Sequence, residues 1–364
     1  MKVLILGTRG IPSAHGGFET LAEQLALYLT ERGHSVTVYG QVANSEKQYE
    51  DTWEGIDRIQ IPAPDTPRGT MTYDLKSVLH SVRRPGVVLT LGYNTGILSL
   101  LYRLRGKRTL MNMDGIEWRR DKWSVVAKLW LWLNEWLGAR FAEHLIADHP
   151  EIKKHLLRHT RSSKITVIPY TNLVSHTSEV SLAEFGFTPQ DYHLVIARPE
   201  PENSILEIVR AFSREPRLKS LVVLGKYRPD SNPYHRAVLD AASPQVRFLG
   251  AIYEKPVVNT LRRNAATYVH GHRVGGTNPS LVEALSFGNA IIAHDNRFNR
   301  WVAGPCAGYF KNEDELASIF GMMDTSANKQ EVMGMASIRR FEEAFTPEHV
   351  LRAYETLLLQ YAKD

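Results

Sequence analysis

Cysteine is nearly absent. Cys306 is the only one in 364 residues, so the chain can form no internal disulfide and no cysteine-built zinc module. Long apolar runs are missing too. No uncharged stretch of about 20 apolar residues occurs, which argues against a membrane-spanning helix. The first apolar run, Val3-Leu4-Ile5-Leu6, is too short for the core of a signal peptide, so the expected location is the cytoplasm, in part on the inner face of the cell membrane. Three phosphate or metal signatures are also missing: Gly-Lys-Ser/Thr, G-x-G-x-x-G and Asp-x-Asp. These absences exclude a Walker loop, weaken a dinucleotide site and remove one kind of metal–diphosphate clamp. Neither charge sign dominates. The 44 basic and 39 acidic residues leave +5, which favours anionic partners but is too little for a nucleic-acid footprint.

What is present is an ordinary globular mixture with a repeating texture, 43% hydrophobic and 23% charged, which rules out a disordered chain or a coiled coil. Val3–Leu6 is a short buried run. Phe18, Leu21, Leu25, Tyr28 and Leu29 then recur at helical spacing, Gly33 stops the helix, and Val36–Tyr39 is the next strand. That is a βαβ unit on a parallel sheet. Further strands are expected at 59–61, 87–91, 109–111, 145–147 and 165–168. Between Pro169 and Pro189 the chain turns polar and aperiodic, as a linker would. The alternation then restarts at 194–197, 221–224, 246–249, 268–270 and 290–293. The expectation is an α/β chain of two doubly wound halves, 1–172 and 190–345, with a helix at 347–364 returning to the first. Two such halves facing a central cleft would offer the loops at their strand ends for chemistry.

Four stretches carry candidate chemistry. The first is the Gly7–Gly17 loop, where Gly10, Gly16 and Gly17 allow close backbone approach and Arg9 adds a charge; it is either an anion cradle before a helix or a plain turn. The second is His270–Ala284. Asn278 suits an N-cap and Pro279 a first helical residue, and Gly275, Gly276 and Thr277 precede them, so this is a second anion cradle. Arg198 and Lys226, each just past a strand, would supply charge or else sit in surface ion pairs. Glu283, inside the apolar run Leu281–Leu285, either faces solvent or accepts two hydrogen bonds from a vicinal diol. The third stretch is Asn112–Arg120. Asp114 and Glu117 are candidate acids or bases and Arg119 a phosphate partner, although Asp114 could equally cap a helix. The fourth, 118–145, holds five of the seven tryptophans among basic residues, which suits a membrane interface or a core helix. His270 and His272 lack a third ligand at matching spacing, so no metal site is expected.

Three of these stretches together resemble the retaining nucleotide-sugar glycosyltransferases of family 4, which have the GT-B fold, and more narrowly their bacterial rhamnosyltransferase-like subgroup. They are Gly7-Thr8-Arg9-Gly10-Ile11-Pro12 with Gly16-Gly17-Phe18-Glu19-Thr20; Asp114-Gly115-Ile116-Glu117-Trp118 with Lys122-Trp123; and Gly275-Gly276-Thr277-Asn278-Pro279-Ser280-Leu281-Val282-Glu283-Ala284. The resemblance implies transfer of a sugar such as L-rhamnose, with retention and without a metal, from a dTDP- or UDP-sugar to a glycan or lipid-linked acceptor in cell-surface polysaccharide synthesis. The nucleotide sugar is a co-substrate, and no other cofactor or nucleic acid is implied. The second acid of the family's E-x7-E pair falls on Glu283, expected to hold the ribose. The first falls on Gly275, a departure. The family's Arg and Lys diphosphate pair maps to Arg198 and Asn203, so the lysine is missing and Lys226 is the candidate replacement. His15 and Arg273 stand where the subgroup has an aromatic or small residue, which leaves the donor sugar open. The rival expectations are a sugar-nucleotide epimerase of the same architecture and a nucleotide-sugar binding protein without turnover.

Overall fold

The structure, a computed structural model, describes every residue except 14, 15, 44, 46, 121, 173–179, 306, 363 and 364. His15 and Cys306 therefore lie outside the described residues. The chain divides into two compact units, Met1–Tyr170 with Pro347–Asp364, and Thr171–Thr346.

Unit 1 carries strands β1 (Lys2–Leu6), β2 (Ser35–Val42), β3 (Tyr49–Trp53), β4 (Ile56–Pro62), β5 (Val87–Leu91), β6 (Thr109–Asn112), β7 (His144–Ala147) and β8 (Ile165–Val167). Its helices are α1 (Gly17–Glu31), α2 (Pro67–Ser81), α3 (Ser99–Leu104), α4 (Val125–Phe141) and α5 (Pro150–Leu156). The sheet order is β3-β4-β2-β1-β5-β6-β7-β8. All pairs are parallel except the β3–β4 hairpin. That hairpin turns on Glu54 and Gly55, both left-handed, as a two-residue turn between twisted strands requires. The sequence pattern misses β3 because it is an edge strand of polar residues with no buried face. The β1 residues Val3–Leu6 are buried on both faces, which a parallel sheet covered by helices demands.

Unit 2 carries β9 (Tyr192–Ile196), β10 (Ser220–Leu224), β11 (Val246–Gly250), β12 (Thr267–His270), β13 (Ala290–His294) and β14 (Gly308–Phe310). The helices are α6 (Ile205–Ser213), α7 (Pro233–Asp240), α8 (Lys255–Arg263), α9 (Pro279–Ser286), α10 (Arg297–Ala303), α11 (Glu313–Thr325) and α12 (Ala327–Ala344). The strands pair in parallel in the order β11-β10-β9-β12-β13-β14. Leu182 and Phe187, inside the stretch expected to be linker, are buried in this unit's core. The last helix, α13 (Pro347–Tyr361), returns to unit 1. It buries Val350, Leu351, Tyr354, Leu357 and Leu358 beside β1 and α1. Glu355 of α13 then meets Tyr28 Oη (3.2 Å) and His34 Nε2 (2.9 Å). No helix among the described residues is long and apolar enough to cross a membrane.

Candidate functional site

In an open parallel sheet the strand order reverses at one point, and ligands bind beyond the strand ends there. Unit 2 reverses between β9 and β12, and unit 1 between β1 and β5. Both points coincide with candidate loops.

In unit 2, β9 and β10 pair in register, with Leu224 opposite Ile196. Arg198 and Lys226 each follow two residues later, so they leave the sheet side by side. Both are exposed, and among the described residues neither side chain has a hydrogen-bond or ion-pair partner. The expected surface ion pair is therefore not seen for either. Asn203, where the resemblance implies a lysine, is buried and donates from Nδ2 to the Arg198 carbonyl (2.8 Å). It braces the arginine's loop.

On the other side of the reversal, β12 ends at His270 and the glycine loop follows. Asn278 caps α9 by accepting from the Ser280 amide (3.0 Å), and Thr277 is buried. Gly275 has φ +126°, a conformation that resists any side chain, although a Cβ there would meet nothing within 4 Å. The absent acid is thus built into the backbone. Glu283 is one-third exposed and is held by Arg262 of α8, whose own side chain is almost entirely out of water. Arg262 also donates to Ser280 Oγ (3.2 Å), which shares a 2.6 Å hydrogen bond with Tyr268 Oη. The carboxylate is oriented by this network. Arg273 is committed to Ser204 Oγ (2.8 Å) and to Glu207. His270 and His272 stack in parallel at 4.2 Å.

In unit 1 the Gly7–Gly17 loop is laced with carboxylates. The Arg9 amide donates to Glu19 Oε1 (3.2 Å) and the Ser13 amide to Glu23. Arg9's side chain pairs with Asp65 at 3.1 Å. Gly10 and Gly16 have positive φ, and a Cβ on Gly16 would lie 2.2 Å from Glu19 Oε2. Glu19 sits in the first turn of α1, which begins at Gly17. The Arg9 and Ser13 amides thus face carboxylates, and the Gly10 amide donates to Thr8 Oγ1 (3.3 Å).

Beside it lies a cavity of about 80 Å³ that includes Gly7, Thr8, Glu19, Asp74, Asn94 and Thr95 in its lining. Asp74 accepts from Thr95 Oγ1 (2.9 Å), and burial raises its pKa to about 6. Nothing in the sequence singles out Asp74. It lies on an amphipathic helix without a motif, and its partner is 21 residues away.

The 112–120 loop follows β6. Asp114 has φ +50° without being glycine, and its amide donates to Asn112 Oδ1 (3.0 Å). Burial, then the neighbouring Glu117 charge, raise its pKa to about 6. A strained carboxyl that holds its proton at a strand end is a candidate functional group. It caps no α-helix, so the capping alternative fails. Tyr93, buried on β5's exit, clamps the loop by donating to the Gly115 carbonyl (3.2 Å) and accepting from the Glu117 amide (2.8 Å). Burial would raise Glu117's pKa, but Arg120 at 2.7 Å and Lys122 at 3.5 Å hold it below the usual range. Through these pairs Glu117 also ties together the two ends of its turn. Arg119 is exposed and lies over the Trp118 ring at 5.1 Å.

Helix α4 is inverted with respect to water. Its inner face buries Asn134 and Glu135 with Leu131, Gly138 and Ala139. Its outer face shows Val125 (82% exposed), Leu129 (63%), Trp132, Leu133 and Trp136. These recur at one-stripe spacing. At its C-terminal end Lys164 donates to the Ala139 carbonyl (2.9 Å), and the charges of Arg103, Arg140 and Arg161 act on it.

Comparison with known proteins follows the same outline. The model of a domain of unknown function, DUF1972, matches residues 1–172. No curated protein matches the sequence. Among solved structures, sucrose-phosphate synthase from Thermosynechococcus elongatus aligns at TM-score 0.80 and 16% identity, over 99% of this chain and 98% of that one. HepE from Anabaena, in complex with UDP-glucose, aligns at 0.76 and 14%, over 99% and 100%. An alpha,alpha-trehalose-phosphate synthase (UDP-forming) from Burkholderia vietnamiensis aligns at 0.73 and 9%, over 99% and 100%. At such identities the likeness is one of fold, and across its whole length this chain has the GT-B fold.

Proposed function

We propose that the protein is a glycosyltransferase that moves a sugar from a nucleoside-diphosphate donor to an acceptor hydroxyl with retention. One observation carries this reading. Two unpartnered cations, Arg198 and Lys226, stand in register at the strand-order reversal of unit 2, beside a glycine loop and a capped helix start. In the proposal they grip the diphosphate. The Gly275–Gly276 backbone and the α9 amides stabilise the charge that builds on it as the glycosidic bond breaks. Glu283, oriented by Arg262, accepts from the ribose diol. Several of the similar solved structures hold UDP, UDP-glucose or UDP-2-fluoro glucose, which supports this donor class.

Unit 1 supplies the acceptor side. The departing phosphate takes the acceptor's proton on the same face, and Asp114 orients the hydroxyl. The carboxylate-laced loop and the Asp74 cavity bind the acceptor's other hydroxyls. The acceptor is a lipid-linked glycan, met at an anionic membrane surface by the outward stripe of α4 and the Arg103, Arg140, Arg161 and Lys164 cluster. L-rhamnose is the donor sugar that the resemblance to the rhamnosyltransferase-like subgroup favours, and cell-surface polysaccharide synthesis the setting.

Calorimetry and thermal shift with UDP, dTDP and their sugars test the donor site. Binding by at least one nucleoside diphosphate is expected, since a ligand of the folded state raises apparent stability. No diphosphate binding, or unchanged affinity in both Arg198→Ala and Glu283→Ala, overturns the assignment. A sugar nucleotide epimerised without any acceptor would move it to the epimerase alternative.

A further inference from the structure

Behind the Asp114 loop, α4, α5 and the turn that follows α5 bring together three side chains that no motif connects. His155 lies near the end of α5 and His159 in the turn after it, with their rings edge to face, 5.7 Å between centroids. Their Nε2 atoms reach Glu135 Oε1 at 2.7 and 3.1 Å. The three ligand atoms all lie within 4.8 Å of one another, the one such group among the described residues. The second carboxylate oxygen accepts from Trp118 Nε1 (3.0 Å). The Glu135 side chain is 2% exposed, His155 7% and His159 13%.

Charge is the difficulty this arrangement poses. Among the described residues no lysine or arginine pairs with Glu135. The two imidazoles and the indole satisfy its lone pairs by hydrogen bonding, and a buried carboxylate with no fixed cation beside it is costly. We propose that Glu135, His155 and His159 bind one divalent transition-metal ion of the zinc class. Two imidazoles and one carboxylate are the donor set that zinc, cobalt(II) and nickel(II) prefer over magnesium or calcium. A tetrahedral zinc with bonds of about 2.0–2.1 Å sets its ligand atoms about 3.3 Å apart; the His159–Glu135 separation of 3.1 Å is close to this, and the His155–Glu135 separation of 2.7 Å opens by about 0.6 Å to admit the ion. The fourth position is reached past His159, the most open of the three. Trp118 becomes the hydrogen-bonded outer partner of the metal-bound carboxylate. The ion's role is to anchor the Trp118 end of the loop that carries Asp114, and it takes no part in the sugar transfer. The site stands whether or not the transferase assignment does.

The experiment uses the full chain, stripped with chelator, dialysed and titrated with Zn²⁺ or Co²⁺. The expected results are one equivalent of zinc by elemental analysis and a tetrahedral cobalt absorption band, with the melting temperature raised by the metal. His159→Ala, on the open side, and Glu135→Gln should each lose the band and the shift. Trp118→Phe should keep the stoichiometry and weaken affinity by about 10–100-fold, as outer partners do. If the wild-type chain retains no metal above background, or if His159→Ala and Glu135→Gln bind it equally well, the proposal falls.

Discussion

Arg262 and Glu283 are unequal partners: the guanidinium is sealed in and the carboxylate is open on one side. Removing the acid should therefore do two things at once. Glu283→Ala strands a buried cation, so it should cost stability, on the order of 1–3 kcal/mol, and also nucleotide affinity. The double variant Arg262→Met, Glu283→Ala should recover most of the stability and none of the affinity. Denaturant melts and calorimetry with UDP or dTDP separate the two effects. Recovery of binding in the double variant would contradict the ribose role.

Arg198 and Lys226 should behave in the opposite way. Both are exposed and unpartnered, so alanine at either site should leave the melting temperature almost unchanged, as for most surface substitutions. Affinity for a nucleoside diphosphate should fall by about 10-fold or more in each, because a charged hydrogen bond to phosphate is lost. The loss should shrink at high salt. Titrations at low and high salt check this.

Asp114 makes a prediction about pH. Its pKa rises from 3.8 to about 6 on folding. At a pH below 3.8 folded and unfolded chains both hold the proton, and the shift contributes nothing. As pH climbs, the unfolded chain releases its proton first, so the folded state loses stability, and the loss is complete above about 6. Asp114→Asn should raise the melting temperature by a few degrees at pH 7.5 and leave it unchanged in strong acid. Asp74→Asn should show the same pattern, since its pKa is also raised to about 6 by burial. A stabilisation that persists in acid would point to packing instead of charge.

The outward stripe of α4 should bind anionic vesicles. Replacing Val125, Val126 and Leu129 with serine should strongly weaken flotation with phosphatidylglycerol liposomes while the fold survives, because these side chains are 82%, 79% and 63% exposed. Replacing Arg103, Arg140 and Arg161 with glutamine should weaken binding by roughly 1 kcal/mol for each charge removed. Equal flotation of wild type and the serine variant would remove the membrane role.

Much of the fold was legible because a parallel sheet writes itself locally. Val87–Leu91 or Leu221–Leu224 must be apolar on both faces, and the helices between them must be apolar on one. The start of α9 was legible for a similar reason: Asn278 and Pro279 are a cap and a first helical residue that mark a helix start. The pairing of Glu117 with Arg120 and Lys122 was not legible, because it runs through a turn whose shape the residue types do not specify. The contacts of Glu19 and Glu23 with the Gly7–Gly17 loop were not legible either, because both look like surface acids until the loop folds back on them. The Trp-rich helix left two options open, and the fold shows a polar inner face and an apolar outer one.

Periodicity, capping residues and glycine positions, all short-range, were enough to specify two α/β halves and the place of their loops. The pairing of Arg262 with Glu283, the cavity beside Asp74 and the meeting of Glu135 with His155 and His159 join residues about 20 positions apart, on separate elements. Such contacts depend on how helices pack against the sheet. The chain carries no local signal of them, because burial, and with it the cost of a charge, exists only once the elements are assembled.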